Sequence, residues 1–168
     1  MNANHTTASR LSALSDCISM QSLLSLFFRC SIASVFGKSG LTKLPFGSDN
    51  VVALFKDEYL GQHIGPWFLG GNIPDGLARI SAELATITEL GCSVLLIAGL
   101  FTRLATLPLI GMTLFIQIFV YWGSWPDHVV WLSMLLFVLV KGPGAISLDR
   151  LFFRAAPNSR ELGARASL

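Results

Sequence analysis

Two charges lie where a membrane-crossing chain tolerates them least. Glu89 falls inside the apolar run AELATITELGCSVLLIAGLFTR, Ala82 to Arg103, and Arg29 inside another, QSLLSLFFRCSIASVFGKSGLTKL, Gln21 to Leu44. A carboxylate or guanidinium at such depth costs several kcal/mol unless it faces a bundle interior and finds a partner. Counting ~1.5 Å per residue from boundaries at Ser22 and Phe101 puts Arg29 about 10 Å deep and Glu89 about 18 Å deep. Extended side chains bridge that offset, so an Arg29–Glu89 ion pair is expected. Lys38, at about 24 Å by the same count, stands on the far side of Glu89 and within reach of it. Lys43 closes the first run, where its ammonium can snorkel to the surface at the edge of the same region.

Around these charges the helical period gathers small and polar groups. Ala85, Thr86, Glu89, Cys92 and Ser93 share one face of their helix, and Thr113, Gln117 and Tyr121 share one face of a later one. The candidate binding set is therefore Arg29, Lys38, Lys43, Glu89, Cys92 and Gln117. It suits polarising or protonating quinone oxygens, holding an anion, or passing a proton; its plain alternative is pinning two helices together. No catalytic residue is assigned. Cys17, Cys30 and Cys92 lie far apart with no CxxC pair, so they read as free thiols packing as small hydrophobes. His63 and His128 lack ligand spacing, and no metal site is expected. No haem pair, flavin fingerprint or iron–sulfur cysteine set is present, which leaves no covalent cofactor. Any electron carrier must be a quinone or belong to a partner chain.

The elements that must position these residues are membrane spans. At 52% hydrophobic and 13% charged, with a mean hydropathy of +0.61, the chain is far from a soluble composition. The net charge of +2 is scattered without a basic run, which excludes nucleic acid as a partner. Spans are expected at 21–44, 79–101, 104–122 and 127–142, with an outer loop at 45–78, all within a membrane domain 21–154. Polar tails occupy 1–20 and 155–168. The fold class is all-α: an integral membrane four-helix bundle with short interfacial helices at VVALFKDEYL and ISLDRLFF, the latter capped by Ser147. Ala33 and Gly37 form a small-xxx-small pair for close helix approach. Trp67 and Phe68 suit interfacial anchors or a lid on the bundle mouth. The excess of Lys and Arg beside the tails and the 101–103 turn places both termini in the cytoplasm.

Three stretches in order carry a resemblance. GKSGLTKL at the end of the first span, ELGCSVLLIAGLFTRLATL in the second and GPGAISLDRLFF after the fourth are similar to the DoxX/DoxD family of four-helix membrane proteins. The residues bearing it are Arg29, Gly40 to Leu44, Glu89 with Gly91, Gly99, Arg103, and Gly142, Pro143, Gly144 with Asp149. Gly37, Gly40, Gly91, Arg103, Gly142, Pro143, Gly144 and Asp149 are its structural positions here. The resemblance implies a multi-pass protein of the bacterial inner membrane, in contact with lipid. It also implies a small subunit of a quinone-linked redox system oxidising sulfur compounds or thiols, with partner redox subunits. The alternative is a non-enzymatic transporter or accessory protein for a small metabolite or a copper-handling pathway. The Gly and Ala faces also fit a homo-oligomer.

Overall fold

The computed structural model describes residues 20–61, 73–121 and 123–154. Its elements are α1 (Met20–Thr42), α2 (Asp49–Ala53) running into a π-helix (Leu54–Gly61), α3 (Asp75–Ala98), α4 (Thr102–Phe119), α5 (Trp125–Lys141) and α6 (Leu148–Arg154). The four long helices close a ring: α1 packs on α3 and α5, and α4 packs on the same two.

The bundle is inside out relative to a soluble one. Its buried positions include Ser25, Arg29, Thr86, Glu89, Ser93, Thr106, Thr113, Gln117 and His128, whereas Phe27, Leu84, Ile87, Val94, Leu104, Ile118 and Val140 are exposed. Water would reject that surface, and hydrocarbon accepts it. α1, α3 and α4 are each long and apolar enough to cross a bilayer. α5 has 17 residues. At ~1.5 Å per residue it covers about 26 Å, and local thinning or the snorkelling of Lys141 closes the remaining gap to ~30 Å of hydrocarbon. The core that remains apolar is compact: Ile32, Phe36, Leu96, Leu109, Leu135 and Val138, with Phe28 edge-on to Phe137 at 5.1 Å.

Helix limits follow local chemistry and shift slightly from the expected ones. α3 starts at Asp75, behind the extended Pro74, and stops at Ala98 because Gly99 adopts a left-handed φ of 66°. Within α1 the close approach to α3 is sharpest at Gly40, where an added Cβ would lie 2.8 Å from Leu90 Cγ. Gly37 is less constrained, with Ser93 at 3.5 Å, and Ala33 is buried. Gly91, one of the positions that carry the family resemblance, faces outward with open space above it and takes no part in such packing.

The segment after α1 lies on α3 as a lid. Val51 and Phe55 pack against Ala82, and Val52 packs against Ile73 and Ala78. Lys56 pairs with Asp75 at 2.6 Å, and Arg79 donates to the Gly47 carbonyl at 3.1 Å. The amphipathic stretch expected along the membrane surface thus covers one mouth of the bundle. At the opposite end α6 begins as its sequence indicates, with Ser147 Oγ accepting from the Arg150 N–H at 3.2 Å. Trp67, Phe68, His63, Cys17 and both tails fall outside the described residues.

Candidate functional site

Glu89 has a partner, and it is not Arg29. Lys43 Nζ donates to both carboxylate oxygens, at 2.7 and 2.6 Å, and to Ser39 Oγ at 2.9 Å. Lys43 and Glu89 are 7% and 3% exposed, so this is a buried ion pair clamping α1 to α3. The expected Arg29–Glu89 pair fails because the helices are offset differently from a count that levels Ser22 with Phe101. Gly40 stands beside Glu89, Gly37 beside Ser93, and Arg29 beside Gly99. That is a displacement of about six residues, or ~9 Å. Lys38, also expected at Glu89, is exposed on the outer face of α1.

Arg29 is fully buried toward the other end of the bundle. It donates to the Leu96 carbonyl at 3.3 Å and to the Ile146 carbonyl at 2.5 Å, and its Nε has no partner among the described residues. Gly99 makes room for it: an added Cβ would sit 2.1 Å from Nη1. The surrounding motif residues lock the same corner. Asp149 accepts from the N–H groups of Phe101 and Thr102 at 2.7 and 3.0 Å, while its own N–H donates to the Gly99 carbonyl at 2.9 Å. Arg103 donates to the Val140 carbonyl at 3.3 Å and lies against Gly142, whose φ is 83°. Ser25 donates to the Gly142 carbonyl at 2.7 Å. Gly144, with a φ of 80°, brings the chain after Pro143 against Ser22, where an added Cβ would lie 3.0 Å from Ser22 Cα. Gly142, Pro143, Gly144, Arg103 and Asp149 are thus joinery between α1, α4, α5 and α6.

A second group of polar side chains gathers at the lid end. Tyr121 donates to the Glu58 carboxylate, and its ring meets that of Tyr59 edge-on at 6.1 Å. The Tyr59 ring also meets that of Phe55 edge-on at 4.9 Å, which seats Tyr59 between the lid and the end of α4. Burial pushes the Tyr59 phenol above its ordinary range, with the Glu58 charge adding to the shift. Tyr121 is raised as well, first by its bond to Glu58 and then by burial. One turn before Tyr121, Gln117 Oε1 lies 2.5 Å from His128 Nδ1. A carbonyl oxygen accepts, so the proton sits on Nδ1. His128 in turn contacts Trp131, which meets Phe36 of α1. All four long helices and the lid therefore contribute to one polar end.

Of the six residues expected to form the set, Lys43, Glu89 and Gln117 are buried toward this end. Cys92 is buried beside them in the apolar core, whereas Cys30 is exposed, so the two thiols occupy different faces. Tyr59, Glu58 and His128 were not among the site residues that the sequence indicated, although the spacing of Gln117 and Tyr121, one turn apart, pointed toward this end. Among the described residues no group of His, Cys, Asp and Glu could hold a metal ion.

Comparison with known proteins adds one match. No curated protein and no solved structure resembles the chain closely enough to carry an assignment. A family model described as DoxX matches residues 24–122, which take in α1, the lid, α3 and α4 and stop before the Gly142–Asp149 corner. More than half of the chain is matched, so this inside-out helical bundle is a membrane protein belonging to the DoxX family.

Proposed function

We propose that the chain is a small membrane subunit of a quinone-linked redox system, with the lid end of the bundle as the quinone site. The observation that carries this reading is the gathering of ionisable groups at the lid end, where Glu58 accepts from Tyr121, Tyr121 meets Tyr59, and the Lys43–Glu89 pair is buried between α1 and α3. A quinone head needs donors for its carbonyl oxygens and an aromatic or apolar slot for its ring. Tyr59 and the Gln117–His128 pair supply donors, and Phe55, Trp131 and Phe36 supply flat apolar walls. When bound, a quinone supplies the exchange of paired electrons and protons. The electrons belong to a reduced sulfur compound, a thiol or a partner subunit. The residues of this chain orient the head group and move protons, with Glu89 as the buried carboxylate and Glu58 as the one nearer the surface.

The charge distribution supports an orientation for this chemistry. Arg103, Lys141 and Arg150 gather at the end opposite the lid. The positive-inside tendency then puts that end, with both termini, in the cytoplasm of a bacterial inner membrane. The lid and its proton route face outward.

The test is quinone carried through purification. Wild-type protein extracted from quinone-containing membranes should retain quinone above the level of a control membrane protein. Glu89→Gln, which keeps the shape, removes the charge and is verified as folded by a thermal melt because it leaves the Lys43 ammonium unpaired, should lower the retained fraction about tenfold. Retention at the control level, or retention unmoved by E89Q, would remove the quinone reading.

A further inference from the structure

At the opposite end from the proposed quinone site lies a cavity of about 610 Å³ between the start of α4, the Gly142–Ala145 turn and the start of α6. We propose that it binds the phosphate of an anionic phospholipid head group. Arg103, Lys141 and Arg150 line it, against the single carboxylate of Asp149. Both Asp149 oxygens are already engaged by the N–H groups of Phe101 and Thr102. Arg103 is partly engaged through Val140. Among the described residues neither the Lys141 ammonium nor the Arg150 guanidinium has a hydrogen-bond or ion-pair partner, so both cations are available to a ligand.

Two further features point to an anion. Thr102 lines the cavity and is fully buried, yet its Oγ1 has no hydrogen-bond partner among the described residues. A buried hydroxyl left unsatisfied is costly, and a bound phosphate oxygen would accept from it. The wall formed by Phe101 to Leu104 is the N-cap and the first residues of the 18-residue α4, where the helix dipole favours negative charge beyond the Asp149 carboxylate that takes the Phe101 and Thr102 N–H groups.

The surroundings select a lipid as the source of that phosphate. Phe101, Leu104, Leu151 and Phe152 are all more than half exposed at this same end. They form an apolar rim against which acyl chains lie while the diester enters the basic cavity. Basic pockets of this kind, at the interface between membrane helices, bind acidic head groups. A free anion would use the cations and the hydroxyl but leave the rim uncovered.

The full-length protein in neutral detergent is titrated with phosphatidylglycerol, with phosphatidylcholine and with inorganic phosphate, and bound lipid is counted by native mass spectrometry. The expected result is preferential retention of phosphatidylglycerol, falling about fivefold for each of Lys141→Gln and Arg150→Gln, and insensitive to millimolar inorganic phosphate. Thr102→Val should weaken it with the charges intact. Lys141 and Arg150 hold no joint of the fold, and a thermal melt of each variant verifies that it remains folded. Equal retention of the two lipids, or a preference that survives both charge removals in the folded variants, overturns the proposal. Displacement of phosphatidylglycerol by inorganic phosphate overturns the lipid source and leaves a free-anion site.

Discussion

The Lys43 ammonium donates to Ser39 and to both oxygens of Glu89, and it leaves the carboxylate no reason to seek a second cation. A pair this buried stabilises the bundle little as a unit, because desolvation offsets the attraction, but removing one member strands a charge. Lys43→Met and Glu89→Leu alone should therefore each cost about 3–5 kcal/mol, and the double variant should recover most of that loss. Arg29→Met should show no such coupling to Glu89→Leu. A double-mutant cycle on unfolding in mixed micelles measures both relations. The phenols supply a pH test, since the chain has only two tyrosines, Tyr59 and Tyr121. Both are raised above the ordinary value of ~10, so the folded state holds their protons more tightly than the unfolded state does. The stability they add is fully present below pH ~10 and is lost as pH rises through their folded values. An ultraviolet titration should find tyrosinate forming well above pH ~10, and Tyr121→Phe should leave a single, still raised, transition. That Glu89 and Arg29 are buried was legible in the sequence, because apolar runs do not carry charges idly. Which cation meets Glu89 was not legible, because that depends on how far one helix slides past another.

Offsets between elements are set by small residues and by left-handed glycines. Gly40 lets α1 lie against Glu89 and Leu90, and Gly99 ends α3 where the Arg29 guanidinium needs space. Gly99→Ala would place a Cβ within 2.1 Å of Nη1 at a φ of 66°. The left-handed backbone alone costs about 1–2 kcal/mol, and displacing a buried guanidinium adds to it. The expected outcome is a melting temperature lowered by several degrees or failure to accumulate in the membrane, while Gly91→Ala, over open space, leaves melting unchanged. The two glycines look alike in the sequence, and only the packing separates them. The four helices themselves were readable, since length and apolarity decide them. The lid was not, because VVALFKDEYL has the same amphipathic pattern whether it rests on lipid or on α3. The ion pair of Lys56 with Asp75 and the bond from Arg79 to Gly47 decide between those surfaces, and both join residues far apart in the chain.

At the scale of the whole molecule, the two ends of the bundle do different work. One end is joinery: Arg29, Gly99, Asp149, Arg103 and the glycines at 142 and 144 tie α1, α3, α4, α5 and α6 through main-chain carbonyls and N–H groups. The other end concentrates ionisable and aromatic side chains under a lid, and it is the proposed quinone site. A photoreactive quinone irradiated in native membranes tests that placement most directly, because the labelled peptides report position without depending on turnover. Labelling should fall on peptides carrying Tyr59, Glu89 and Gln117, and excess unlabelled quinone should compete it away. Labelling confined to the Gly142–Asp149 end, or no stronger than that of a lipid-facing control protein, would contradict the account.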